Sequence, residues 1–299
     1  KTHAVLAKGI CERIGIDGHI KHTPTGKPYY EAYTNMPTHA EAIQAALELL
    51  VDPEYGVISS ISEIGAVGHR VLHGGDKFTA ASLVTDEVMK AIHDCIHLGP
   101  LHNPNNIIGI LACQQVMPGV PMVAVFDTAF HQTMPPKAYT YALPYQFYQE
   151  DKVRRYGFHG SSYIYVSQRA AELLGKPDGQ GLKLVCCHLG NGSSVAAVKD
   201  GKSVETSMGL TPLAGLPMGT RSGSVDPGVM EYLMYRRKLD IHQILDIMNK
   251  ESGVLGISGV SSDFRDLELA ADEGNEQAKL AIECFAYQVK KYIGSYAAA

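Results

Sequence analysis

The stretch CCHLGNGSSVAAV, Cys186 to Val198, sets two glycines, an asparagine and two serines between apolar runs. A phosphate loop that opens a helix would read GxxxxGK[ST] or GxGxxG, and neither pattern is here. The chain continues instead through Asp200-Gly201 into KSVET. Asp-Gly between β-prone runs is a hairpin signal. The glycines therefore fall at a strand–turn–strand tip, where backbone N–H groups and hydroxyls can face an anion. On these residues alone, a plain tight hairpin without a ligand reads the same way.

The rest of the chain bounds the possibilities. At 299 residues two domains are the natural expectation. With 45% hydrophobic and 19% charged residues the composition is that of an ordinary globular protein. A net charge of −5 gives no reason to expect nucleic acid or an anionic membrane as partner. No apolar run approaches the roughly 18 residues needed to span a bilayer, and no signal-peptide pattern opens the chain. The six cysteines (Cys11, Cys95, Cys113, Cys186, Cys187, Cys284) show no CxxC spacing, so reduced thiols and a cytoplasmic location are expected. Cys186 and Cys187 are adjacent in an expected strand; their side chains point to opposite faces and suit core packing. Among thirteen histidines no HExxH or similar spacing appears, and His93 and His97 read as the exposed face of a helix.

Thr38 and Glu41 form a capping box ahead of a helix through Leu50. Further helices are expected over Asp86–His97, from Pro104 to before Pro118, and from a cap at Ser161 or Ser162 to Gly175. Asp226-Pro227 reads as N-cap and first helical residue, and the chain looks helical from Asp266 to its end. PMVAVF (121–126) and LKLVCCH (182–188) read as strands. Two successive sets of alternating strands and helices, with a boundary near 130–136, predict two α/β domains and a cleft between them.

Five short stretches place at least one ionisable residue among glycines, prolines or small residues: GHRVLHGG (68–75), PLHNP (100–104), VFDTAFH (125–131), YGFHGSS (156–162) and MGTRSGS (218–224). Each alone is compatible with a solvated arginine or a structural histidine; the set points to a site. Arg70 and Arg221 carry planar forks that match carboxylate and phosphate oxygens. His159, beside Gly160 and two serines, could donate to an oxyanion. Asp127 ends a strand, where α/β folds concentrate ligand contacts. Together they suggest phosphoryl transfer to an anionic acceptor.

In order along nearly the whole chain, HRVLHGG, LHNP, VFDTAFHQTMP, RYGFHGSS, CHLGNGSS, ETSMGLTPL, GTRSGSVDP and SGVSSDFRD resemble the motifs of the acetate kinases. That family belongs to the acetate and sugar kinase/Hsp70/actin superfamily. The resemblance implies a two-domain, actin-like ATPase (ribonuclease H-like) α/β fold, and it turns the glycine hairpin into a phosphate cradle. Residues 1–130 would form an acetate-binding domain and 131–299 a nucleotide-binding domain, both incomplete.

The resemblance also implies roles. Arg70 would bind the acetate carboxylate, with Asp127 the acidic residue beside it. His159 and Arg221 would stabilise the transferring phosphoryl group, supported by His102. Leu72, Leu101, Phe158 and Pro212 would surround the acetate methyl. His188, Leu189, Gly190, Asn191 and Gly192 would contact the phosphates of ATP, and Asp263, Phe264 and Arg265 would lie along the nucleotide. Acetate has a pKa of roughly 4 to 5 and is already ionised at neutral pH, so no base is needed to activate it. Asp127 would then position Arg221 or a magnesium shell, and catalysis would rest on alignment and charge stabilisation.

Family segments expected before Lys1 and after Ala299 include a phosphate-binding strand, an adenosine loop and the residues tied to Mg2+. No metal ligand is therefore assigned here, and a protein of these residues alone is expected to be inactive. The implied reaction is ATP-dependent phosphorylation of acetate to acetyl phosphate and ADP, by a homodimer. The alternatives are a propionate or other short-chain carboxylate kinase, and a non-catalytic nucleotide-binding protein of the superfamily.

Overall fold

Thr38 accepts from the main-chain N–H of Ala40, and Glu41 returns to the Thr38 N–H at 2.9 Å. This capping box starts the first helix where expected. The computed structural model describes residues 4–100 and 102–299. Contacts gather the chain into two units, one running to Leu72 and from Ala81 to Val125, the other comprising His73–Ala80 and Phe126–Ala299.

The first unit opens with an antiparallel sheet of β1 (Ala7–Glu12), β2 (His19–Pro24) and β3 (Tyr30–Tyr33). Helix α1 (His39–Val51) packs Ala42 onto Ile20 and Met36 beside that sheet. A second sheet has the order β4 (Val67–Val71), β6 (Met122–Phe126), β5 (Ser82–Leu83). Leu47 of α1 meets Met122, together with Cys113 of α3 (Asn103–Val116) and the adjoining Met117. Helix α2 (Asp86–Asp94) is shorter than the expected Asp86–His97. The Cys95 N–H is shared among the carbonyls of Ala91, Ile92 and His93, which tightens the last turn, and Ile96–Leu98 forms a separate 3₁₀ turn. His93 and His97 are exposed as expected.

The second unit contains the short helices α4 (Pro136–Tyr139) and α5 (Tyr145–Asp151), then α6 (Gly160–Leu173). The opening hairpin follows as β7 (Lys183–Leu189) and β8 (Ser193–Lys199), with β9 (Lys202–Thr206) after the Asp200-Gly201 turn. Strand β8 is buried on both faces. Ala196 and Val198 pack with Tyr163 of α6, whereas Val195 and Ala197 pack with Tyr296 of α11 (Glu276–Ala298). A strand with period-two side chains covered twice reads as a continuous small-apolar run, as SSVAAV does. Helices α7 (Gly228–Arg237), α8 (Ile241–Lys250), α9 (Gly253–Ser258) and α10 (Phe264–Asp272) complete the unit.

Several boundaries differ from expectation. Helix α6 starts at Gly160, with His159 at the N-cap in the left-handed region (φ 62°), instead of being capped by Ser161 or Ser162. The Gly160 N–H donates to the Asp127 carbonyl, and a Cβ at Gly160 would run into that oxygen. Tertiary anchoring replaces a serine cap. Pro227, expected as the first helical residue, is the N-cap of α7, and the Asp226 carboxylate accepts from Gly228 N–H at 2.9 Å. The C-terminal region is two helices, broken at Gly274 (φ 94°) and restarted by an Asn275 cap. None of the six cysteines is in a disulfide among the described residues. Cys186 is buried and its thiol is pushed up to about 11 by burial, but Cys187 is exposed and does not pack in the core. No helix among the described residues is long and apolar enough to cross a membrane.

Candidate functional site

The turn between β7 and β8 is Gly190-Asn191-Gly192, closed by Ser193 Oγ donating to the Gly190 carbonyl at 2.7 Å. Asn191 is tied to the segment that carries Arg221, because its carbonyl accepts from Gly219 N–H at 3.0 Å. A Cβ on Gly219 would collide with the Asn191 side chain, so glycine is what lets the two loops meet. Gly192 has the opposite character. A Cβ there would lie 3.4 Å from His159 Nε2 and 3.6 Å from Arg221 Nη1. The hairpin tip thus faces an imidazole nitrogen and a guanidinium together.

Each group is held by its own fold element. Asp127, fully buried at the end of β6, accepts from the main-chain N–H of His159 at 3.4 Å. His159 Nδ1 meets Ser194 Oγ at 2.7 Å. The His159 ring stacks on His188 with centroids 4.0 Å apart and planes at 23°. His188 Nδ1 in turn meets Ser162 Oγ at 2.9 Å, which occupies the serine once expected as a cap. Arg221 Nη1 donates to the Pro212 carbonyl at 3.3 Å. Asp127, His159, His188, Gly192, Pro212 and Arg221 are therefore linked neighbours in the second unit.

The remaining predicted residues sort differently. Phe158 is wholly buried, edge-on to His73 at 5.5 Å, with its carbonyl bonded to His131. Leu189 is exposed at the base of the tip. Asp263 caps α10 and pairs with Arg265 at 2.6 Å; that hydrogen bond, with the Arg265 backbone N–H, holds its carboxyl down at about 2. Phe264 meets Phe285 at 4.8 Å, packed with α9 and α11. In the first unit Arg70 is exposed on β4, and Leu72 is buried with its N–H donating to Asn106 Oδ1 at 3.0 Å. His102 is the N-cap of α3 and donates its N–H to the Gly99 carbonyl. Gly99 also approaches Leu72, so Leu72 and the His102 turn are close within this unit. Leu101 lies outside the described residues.

Sequence reasoning gave Ser162 only as a helix cap and assigned no role to Ser194, Tyr163, Gly219 or His131. His131 is fully buried, with Nε2 donating to the Phe158 carbonyl at 2.9 Å and Nδ1 meeting Ser203 Oγ at 2.8 Å. Burial pushes its pKa down to about 4, so it is neutral. Among the described residues, no group of three or more His, Cys, Asp or Glu could hold a metal ion.

A glycine hairpin backed by imidazole and guanidinium, on this α/β frame, defines a class: the phosphotransferases built on the actin-like ATPase fold. Comparison with known proteins narrows the class. The chain matches the acetokinase family over residues 1–299 and belongs to that family, whose phosphoryl acceptor is a carboxyl group. It is 60% identical to the acetate kinase of Desulfitobacterium hafniense (strain DSM 10664 / DCB-2) over 298 residues, covering 99% of this chain and 74% of that protein. The Porphyromonas gingivalis acetate kinase structure superposes with a TM-score of 0.91 at 48% identity, over 99% of this chain and 74% of the other. A propionate kinase from Francisella tularensis subsp. tularensis SCHU S4 gives 0.90 at 41% identity, over 97% and 73%. The chain thus spans about three quarters of the length of these relatives.

Proposed function

We propose that this protein transfers the γ-phosphoryl group of ATP to acetate, giving acetyl phosphate and ADP, and runs the same step in reverse. The observation that carries the reading is the placement of Gly192 against both His159 Nε2 and Arg221 Nη1. An in-line phosphoryl transfer spreads negative charge over the equatorial oxygens, and fixed donors around that point stabilise it. His159 and Arg221 supply those donors in this reading, and the main chain of the 190–192 turn carries the nucleotide phosphates. Arg70, Leu72 and His102 of the first unit serve the carboxylate and its methyl group. The nucleophile is already ionised, so Asp127 acts by position, through the His159 backbone, and takes no proton.

Magnesium would accompany ATP and neutralise phosphate charge when bound. The described residues do not offer a cluster for it, so no residue of this chain is assigned to it. Homodimerisation and a cytoplasmic location belong to the same family-based reading.

The test is the initial rate of ADP formation with acetate, propionate and butyrate, with magnesium present. Acetate is expected to give the highest kcat/KM. A preference for propionate would move the assignment to the second acceptor that this fold carries, as the Francisella relative's name indicates. ATP hydrolysis with no response to any carboxylate would leave a nucleotide-binding protein without an acceptor.

A further inference from the structure

Two polar residues behind His159 are assigned no part in the reaction so far. Ser194, wholly buried on β8, brings its Oγ to 2.7 Å from His159 Nδ1 and to 2.5 Å from the Tyr163 hydroxyl. Tyr163 is 1% exposed, one turn into α6 from His159. Burial raises the Tyr163 pKa and keeps the hydroxyl protonated. Each hydroxyl has one proton to give. Ser194 Oγ is within reach of the Tyr163 hydroxyl and of His159 Nδ1, so Tyr163 gives its proton to Ser194, and Ser194 gives its own to His159 Nδ1. The reverse direction would leave the Tyr163 proton buried without an acceptor, which is costly.

We propose that Ser194 and Tyr163 are positioning residues, forming a relay Tyr163 → Ser194 → His159 that keeps His159 neutral with its one ring proton on Nε2. That nitrogen is the one facing Gly192 and Arg221, so the relay aims an N–H donor at the transferring phosphoryl group. The surrounding groups act in the same sense. The His188 ring, held by Ser162, fixes the plane of His159 by stacking. The Arg221 guanidinium on the Nε2 side disfavours a second positive charge. The Asp127 carboxylate accepts from the His159 main-chain N–H. A fixed tautomer costs no reorganisation when charge develops, and this is the condition for an effective oxyanion donor. The inference rests on His159 facing the phosphoryl group, as proposed above.

The experiment is nitrogen-15 NMR of the histidine-labelled protein at neutral pH, with the His159 signals identified by their loss in His159→Gln. The unsubstituted protein should show the Nε2–H tautomer. Ser194→Ala should shift it toward Nδ1–H or the cation and lower kcat by about 10²-fold, with KM for ATP within about twofold. Tyr163→Phe, which removes one oxygen and keeps the ring, should produce the same tautomer shift in part and a loss of about tenfold. Ser194→Thr retains a hydroxyl and should recover the tautomer. An Nδ1–H signal in the parent, or a tautomer unmoved in both Ser194→Ala and Tyr163→Phe, overturns the relay. Full kcat in His159→Gln overturns the phosphoryl-facing role instead, and the tautomer measurement still decides the relay.

Discussion

Gly192 and Arg221 show how single residues divide the work at the hairpin tip. A methyl group on Gly192 fits sterically, at 3.4 Å from one neighbour and 3.6 Å from the other, and the backbone there is not in the left-handed region. Gly192→Ala should therefore fold with a nearly unchanged thermal midpoint. The methyl would occupy the space between the two donors, and kcat should fall by about 10²-fold or more. A variant as active as the parent would show that nothing transfers past this glycine. Arg221→Lys keeps the charge and loses the fork, so kcat should fall about 10²-fold with nucleotide affinity little changed. Near-parental turnover would make the arginine a bystander. In the proposed reading Leu72 governs specificity. One methylene in a snug apolar pocket shifts discrimination by about 1–3 kcal/mol, so Leu72→Ala should improve propionate relative to acetate. Because Leu72 is buried, the same change should cost about 2–5 kcal/mol of stability, which a urea titration reads separately. An unchanged acetate-to-propionate ratio would remove Leu72 from the acyl pocket.

Elements are joined to each other by buried polar groups, and His131 carries a pH signature. It bridges the Phe158 carbonyl, just before α6, to Ser203 of β9, and Gly157 (φ 76°) lies so close that a Cβ would strike its ring. The folded pKa is about 4, below the ordinary 6.5, so the unfolded chain takes up the proton first. The stabilisation is complete above about pH 6.5 and is lost as pH falls toward about 4, on the order of 3 kcal/mol in all. Urea unfolding across that window should show the fall, and His131→Gln should flatten it. An equally steep fall in the variant would place the acid sensitivity elsewhere. At this scale local signals were readable in the Thr38–Glu41 box and the Asp200-Gly201 turn, which stand where they were expected, while the Asp226-Pro227 signal placed its helix one residue early. The start of α6 was misread because its determinant is the Asp127 carbonyl, thirty-three residues from Gly160, and not a neighbouring hydroxyl.

Taken as a whole, the second unit is organised about β8, covered by α6 on one face and α11 on the other. Its amides should be among the slowest to exchange with deuterium in that unit, and slower than those of β1, an edge strand with an exposed central run. Exchange of β8 as fast as that of β1 would contradict the double cover. By itself the sequence determined the hairpin, strands β6 and β7, the bodies of helices α1, α2, α3, α6 and α7, the motif order of the family and the residue types a phosphoryl-transfer site requires. Those features depend on local periodicity, turn chemistry and composition, all carried by neighbours along the chain. Only the tertiary structure decided that Gly192 lies against His159 and Arg221, that Ser162 serves His188 and that Ser194 joins Tyr163 to His159. These contacts link residues some 26 to 35 positions apart, and a hydrogen bond at that separation leaves no periodic trace in the sequence. It exists only once the strands and helices have packed.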